Sequence, residues 1–251
     1  VFTSVIAAGF RGRNFRSSLA RISKKDFLSI AGAGFFLALH FGFWITSLDF
    51  TSISSSVLFT NLQVIFVMLF SIFILKENLH YSVILSIIVA ICGSVLIAYG
   101  DLQHGKFLGD MLALASGLFV AIYFIIGRDV RTRVDALTYT SITSFVAAIV
   151  LFIGSLAFGL EFTGYRNIDW FLFFLLALVS GVGGHAILNW ALKYVKAPIV
   201  AGSILGESVG ASILAYLFFR EYLIWYQMIG GLFILTGIYM AVVFENKTKR
   251  K

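Results

Sequence analysis

The sequence predicts an all-α polytopic membrane protein, an inverted-repeat helical bundle with about nine spans, and three observations carry that expectation. First, 60% of the 251 residues are hydrophobic and 12% are charged, with Phe alone supplying 27 and a mean hydropathy of +0.97. A soluble domain keeps about 25% charged residues to wet its surface. Here too little polar surface remains to cover a globule, so lipid must cover it. Second, the apolar residues fall in unbroken runs of span length. Third, the second half of the chain repeats the first at a fixed spacing.

A helix rises about 1.5 Å per residue, so about 20 apolar residues cross about 30 Å of hydrocarbon. Spans are predicted at 1–10 (partial), 27–48, 52–75, 81–100, 107–127, 136–159, 169–192, 198–219 and 223–244. Runs of this length exclude a β-barrel, whose spanning segments are about half as long and alternate in polarity. The connections Asp101–Lys106, Arg128–Asp135, Lys193–Ala197 and Arg220–Tyr222 leave no room for a soluble domain. Pro198, the single proline, stands at the start of a span, where its missing N–H costs nothing. Cys92 is the single cysteine and reads as a small packing residue. No intrachain disulfide is possible, and no Cys/His set exists for a structural zinc.

A net charge of +7 suggests a nucleic-acid partner only if the basic residues share one face. Instead they sit in the short loops. Numbered alternately, the gaps on one side receive Arg11, Arg13, Arg16, Arg21, Lys24, Lys25, Lys76, Arg128, Arg131, Arg133, Lys193, Lys196 and the four basic residues after Asn246. The gaps on the other side receive Lys106, Arg166 and Arg220. The heavy side is therefore predicted to be cytoplasmic, together with the basic tail 245–251. The partners expected are the lipid bilayer and a small molecule, and no nucleic acid.

The repeat runs at an offset of 144 residues. Glu77 falls on Glu221, Leu79 on Leu223, Tyr81 on Trp225, Gly93 on Gly237, and Leu48 on Leu192. Five spans separate the copies, and an odd number makes the second copy cross in the opposite sense. Two similar halves of opposite hand are the architecture of alternating-access transporters. The expected domains are a first repeat over 1–100, a second over 107–244 and the tail. The same offset asks for a mate of the 107–127 span before Val1, so the complete protein is expected to have ten spans. This chain then reads as a piece of a longer product.

The local motifs resemble the EamA-domain members of the drug/metabolite transporter superfamily. The residues concerned are His40-Phe41-Gly42-Phe43-Trp44, Leu75-Lys76-Glu77-Asn78-Leu79, Gly184-His185 through Asn189-Trp190-Ala191-Leu192-Lys193-Tyr194, Leu205-Gly206-Glu207 and Phe219-Arg220-Glu221. The resemblance implies a ten-helix bundle of two repeats that moves small organic solutes across a cytoplasmic membrane. One departure stands out: Ser208 occupies the place where such proteins carry a proline after the acidic residue, so a weaker helix kink is expected there.

An ionisable residue at the bilayer centre costs about 2.5–3.5 kcal/mol on insertion scales and is commonly functional. Glu207 is the one acidic residue near mid-span. It shares a helical row with Ser203 and Ala211 and pairs by the offset with Gln63. The neighbouring row Gly202, Gly206, Gly210 is expected to let another backbone approach. A proton or substrate site is one reading of Glu207, and a carboxylate held by structural hydrogen bonds is the other. His185 and Asn189 share a face at i,i+4, as His40 and Trp44 do in the first half. These polar pairs are expected near the midplane, either lining a substrate path or bonding helices together. Asn189 and Asn61 fit the structural role better. Trp44, Trp170, Trp190 and Trp225 fit an aromatic belt, with stacking on a substrate the other reading for Trp44. The stretch Ser180-Gly181-Val182-Gly183-Gly184 is expected to bend or unwind.

Secondary transport of metabolites or drugs, without cofactor or metal, is the expected function; Glu207 makes proton coupling part of that expectation. A membrane enzyme would need clustered catalytic groups or a His-Glu-x-x-His site. A channel would need a ring of like polar residues. Neither pattern is present in the sequence.

Overall fold

The computed structural model describes residues 19–20, 22–51, 53–101, 107–214, 217 and 225–249. Its helices are α1 (Lys24–Ser47), α2 (Ile53–Asn61), α3 (Gln63–Phe73), α4 (Tyr81–Asp101), α5 (Phe107–Val130), α6 (Ala136–Ala157), α7 (Asn167–Leu176), α8 (Ala186–Ala191), α9 (Ala197–Ile204), α10 (Gly206–Leu214) and α11 (Trp225–Lys249). A π-helical stretch, Ala177–His185, joins α7 to α8. No strand occurs among the described residues. Among the described residues, five helical segments are long and apolar enough to cross a membrane: Lys24–Ser47, Ser56–Phe73, Phe107–Val130, Ala136–Ala157 and Asn167–Ala191. The predicted partial span 1–10, the loop from Leu102 to Lys106, and the pair Arg220–Glu221 lie outside the described residues.

Two of the predicted spans are not single helices. The run 52–75 breaks at Leu62, whose N–H reaches back three residues to the Phe59 carbonyl at 3.3 Å. The run 198–219 breaks at Leu205, whose N–H bonds the Gly202 carbonyl at 3.2 Å. Each is a tightened turn of 3₁₀ type, which interrupts the i→i−4 ladder without a proline. A weaker bend near Ser208 was the expectation; the helix breaks anyway, three residues earlier.

The chain divides into two compact units. The first comprises 1–42 and 122–195, and the second 43–121 and 196–251. Each therefore takes segments from both halves of the sequence.

In the second unit the core is the pair α4 and α11. A Cβ on Gly93 would lie 2.5 Å from the Gly230 carbonyl oxygen and 2.9 Å from the Ile234 nitrogen. A Cβ on Gly237 would lie 2.6 Å from the Ser86 carbonyl oxygen and 2.7 Å from the Ala90 nitrogen. Every residue in one set is its counterpart in the other plus 144. Contacts climb one helix as they descend the other, so α4 and α11 are antiparallel and touch backbone to backbone. Only glycine permits that approach. The glycine row of the ninth predicted span behaves otherwise. Gly202 and Gly206 meet only side-chain atoms, at 3.9 and 3.5 Å, and Gly210 meets nothing within 4 Å. The backbone contact expected along that row is absent.

Around this pair, α9 packs on α3, and Lys196 Nζ donates to the Asn78 carbonyl at 2.7 Å. Ser47 and Ser56 share a 2.6 Å hydroxyl contact. Thr60 Oγ1 donates to the Ala113 carbonyl at 3.3 Å, and Thr51 Oγ1 to Asp110 at 2.7 Å. Ser56 and Thr60 thus serve close packing, as their small size suggests; the side chains of Ser54 and Ser55 lie outside the described residues. Lys76, in the turn after α3, has a left-handed φ of 53°, and Ser71 Oγ donates to Glu77 just beyond it. Cys92 is exposed, not packed in the core.

In the first unit, α1 begins with a capped turn in which Ser23 and Asp26 exchange hydrogen bonds of 2.7 and 3.0 Å. Asp26 also pairs with Arg133, which grips Asp129. A Cβ on Gly34 would come within 2.7 Å of the Thr143 carbonyl oxygen, so α1 and α6 approach closely there. No side chain of α7 is buried.

Candidate functional site

The second unit holds Gln63, Ser203, Glu207 and Trp44 of the predicted site. Gln63 begins α3 immediately after the Leu62 break and is 3% exposed. Its Oε1 is buried without a hydrogen-bond partner. An orphaned acceptor in a buried place is costly, about 1–3 kcal/mol, and invites an explanation such as an unoccupied ligand or water position. Glu207 stands in the first turn of α10, just past the Leu205 break, with its side chain exposed. Acidic residues are favoured in a first turn, where backbone N–H groups and the helix dipole meet them. Ser203 lies before the break, exposed, and its hydroxyl turns back to the Val200 carbonyl at 2.7 Å. The row Ser203–Glu207–Ala211 expected on one continuous helix is therefore interrupted. Trp44 is half-buried near the end of α1, and its carbonyl accepts from Ser47 Oγ at 2.6 Å.

The first unit holds His40, His185 and Asn189. His40 is buried and tilts against Phe41, with ring centroids 5.1 Å apart. Phe41 in turn meets His185 edge to face at 5.4 Å, and Tyr123 meets His185 edge to face at 6.2 Å. His185 is the last residue of the π stretch, and its Nδ1 is buried without a partner. The Gly-rich run before it was expected to bend or unwind. It widens into a π-helix instead, keeping a helical path while adding one residue to the turn.

Asn189, one turn beyond His185, is fully buried and has its amide bonded at both ends. Its Oδ1 accepts from Tyr123 OH at 2.6 Å, and its Nδ2 donates to Thr140 Oγ1 at 3.0 Å. Its backbone carbonyl accepts from Arg131 Nε at 2.8 Å. Arg131, 2% exposed, also donates to the Val134 carbonyl, and burial pulls its guanidinium below the usual range against the opposing charge of Asp135. Arg128 closes the same end by donating to the Leu192 carbonyl at 2.7 Å. Sequence reasoning used Arg131 only as a topology charge and did not single out Tyr123 or Thr140. The predicted face pairing of His185 and Asn189 was the available signal, since it pointed to this helix without naming its partners.

Apolar helices of span length, joined by short polar turns and carrying buried polar groups inside, define a multi-pass helical membrane protein. A model of the EamA-like transporter family matches residues 1–99 and 107–243, and the chain belongs to that family. The resemblance read from the His40 and Gly184–Tyr194 motifs is thereby borne out. Among its relatives are proteins named as uncharacterized transporters. One from Methanothermobacter thermautotrophicus is 25% identical over 89% of this chain and 66% of its own length. One from Archaeoglobus fulgidus is 25% identical over 85% and 76%, and YxxF of Bacillus subtilis 23% identical over 88% and 71%. The chain thus spans about two thirds to three quarters of the length of these relatives. A protein crystal structure aligns with 98% of this chain and 84% of its own at a TM-score of 0.76 and 18% identity, which shows a shared fold.

Proposed function

We propose that the chain forms most of a secondary-active transporter for small organic solutes, working by alternating access in a cytoplasmic membrane with its C-terminus inside. The observation that carries this reading is the reciprocal contact of α4 and α11. Gly93 and Gly237 each meet the backbone atoms of residues that correspond across an offset of 144 on antiparallel helices. That is the local signature of a two-fold axis lying in the membrane plane, as an inverted repeat of five plus five helices requires. The breaks at Leu62 and Leu205 fall in corresponding places of the two halves, and discontinuous spans commonly form transport sites. The family and the transporter names of its relatives support the same class.

Within this reading, Glu207 is the protonatable group of the second unit, where Trp44 and Ser203 are polar-path residues and the unpaired Gln63 Oε1 is a position that a solute or water fills. In the first unit the unpaired His185 Nδ1 is such a position and His40 a polar-path residue, whereas Asn189 positions the helix that bears His185. The test is a screen of purified full-length protein in proteoliposomes, with a metabolite mixture outside and mass spectrometry of the lumen under an imposed proton gradient. Saturable accumulation of an organic solute is expected. Passive equilibration alone would favour a channel, and chemical conversion of a solute an enzyme.

A further inference from the structure

The break at Leu62, in the second unit, frees a backbone carbonyl. Leu62 N–H bonds the Phe59 carbonyl at 3.3 Å in place of the Leu58 carbonyl, which loses the donor an unbroken helix would give it. In a membrane span such a group is satisfied from within the protein, by a neighbouring helix, a hydroxyl side chain or an ordered water.

A cleft of about 10 Å³ adjoins the break. Leu58, Asn61 and Leu62 line it from the α2 side, Ile91 and Ser94 from α4, and Leu205, the break residue of the later span, forms part of its wall. Asn61 is 8% exposed and Ser94 5%, yet neither side chain hydrogen-bonds a described residue. Buried polar side chains are nearly always paired with protein or with ordered water. An amide and a hydroxyl each offer both donor and acceptor, so a partner common to the two has to do both. The room is about that of one water molecule. No Asp or Glu lines the cleft to neutralise a cation.

The repeat supplies a comparison within the same unit. Gly202 and Ile238, the mates of Leu58 and Ser94 at the offset of 144, line a second cleft, also of about 10 Å³. Its other lining residues, Ile87, Ala90, Ile199, Gly237 and Ala241, are apolar. The two halves thus shape a cleft in both places, and side chains make one of them polar. An apolar cavity of this kind stays dry.

We propose that the cleft beside Asn61 and Ser94 binds one water molecule, which clasps the broken end of α2 to α4. The water donates to the Leu58 carbonyl and to Ser94 Oγ and accepts from the Asn61 amide. Three hydrogen bonds are the usual complement of a buried water. Such a bridge is nearly as favourable as a direct bond. It satisfies the carbonyl that the 3₁₀ turn sets free.

Solid-state NMR of the protein in lipid bilayers tests the site, by magnetisation transfer from water protons to the side-chain amide of isotope-labelled Asn61. Transfer is expected in the parent and its loss in Ser94→Ala. An Asn61 amide that receives nothing from water in the parent overturns the proposal. Thermal melting of Asn61→Leu, Ser94→Ala and the double variant gives a second measurement. A bridging water couples two side chains that share no direct bond, so the double variant is expected to melt higher than the sum of the single shifts predicts. Additive shifts overturn the bridge. Coupling that is present in sodium chloride and absent in choline chloride assigns the cleft to a cation and overturns the water. Should Asn61→Leu not be recovered folded, the NMR comparison of the parent with Ser94→Ala decides. Neither measurement involves a gradient or a transported solute, so the clasp and the transport reading stand or fall separately.

Discussion

At the scale of single residues, Asn189 and Glu207 separate structure from chemistry. Asn189 has its amide fully engaged inside the first unit, so Asn189→Ala strands the Tyr123 hydroxyl in a buried place. Leaving one buried polar group unpaired costs about 1–3 kcal/mol. The variant is expected to melt several degrees lower in detergent while keeping transport at temperatures where it stays folded; an unchanged melting point would show that water replaces the amide. Glu207 makes no side-chain hydrogen bond or ion pair with a described residue and stands exposed beside a helix break. Glu207→Gln keeps size and hydrogen bonding but fixes the neutral form. It is expected to abolish gradient-driven accumulation and to spare solute exchange and folding. If the Gln variant concentrates solute as the parent does, the coupling proton resides elsewhere. Glu207 stands out in the sequence, because an ionisable residue in the middle of a predicted span is rare. The partners of Asn189 do not, since Tyr123, Arg131 and Thr140 belong to segments 49 to 66 residues away and no local pattern marks which side chain turns inward.

At the scale of elements, the runs of apolar residues gave the helices their place, and backbone chemistry altered their interiors. Composition separates span from loop because each span must satisfy its backbone polar groups internally. It does not report a local change from i→i+4 to i→i+3 or i→i+5 bonding, since all three leave the run apolar. Hence Leu62 and Leu205 interrupt runs that read as continuous, and Ala177–His185 widens where bending was expected. Glycine, too, is ambiguous in sequence. The row Gly202, Gly206, Gly210 reads as a packing stripe and meets no backbone, whereas Gly93 and Gly237 lie against α11 and α4 themselves. The offset of 144 linked the latter two before their contacts were visible. Gly93→Ala and Gly237→Ala are each expected to force the helices apart and destabilise by about 1–3 kcal/mol. Their near-equal loss of thermal stability is the mark of the pseudo-symmetry. Gly154→Ala, with nothing within 4 Å, serves as the neutral comparison. Tolerance of alanine at only one of the two positions would argue against equivalent roles.

At the scale of the whole molecule, orientation rests on charge. Sixteen of the 19 Lys and Arg residues fall on one side if the predicted spans alternate, an imbalance far larger than a random scatter would give. Two features of the first unit fit the loop at 131–135 being a firm end of the bundle. Arg133 bridges Asp26 and Asp129, and Arg131 is withdrawn among backbone carbonyls. Exposed ion pairs are worth little singly, but here they join the start of α1 to the turn after α5. The antiparallel α4 and α11 place the beginnings of these two helices at opposite ends of the pair, so if both span, Tyr81 and Trp225 start from opposite faces of the membrane. If the heavy side is cytoplasmic, α4 starts inside and α11 ends inside, which puts residues after Val243 in the cytoplasm. A Thr248→Cys variant, in a Cys92→Ser background, is therefore expected to resist a membrane-impermeant maleimide in intact cells and to react after permeabilisation. Phe162→Cys, in the connection between α6 and α7, is expected to react from outside. Since Thr248 and Phe162 lie on opposite sides by span count, labelling of both from the same side would break the alternation, and a simple exchange of the two outcomes would invert the whole orientation while leaving the repeat intact.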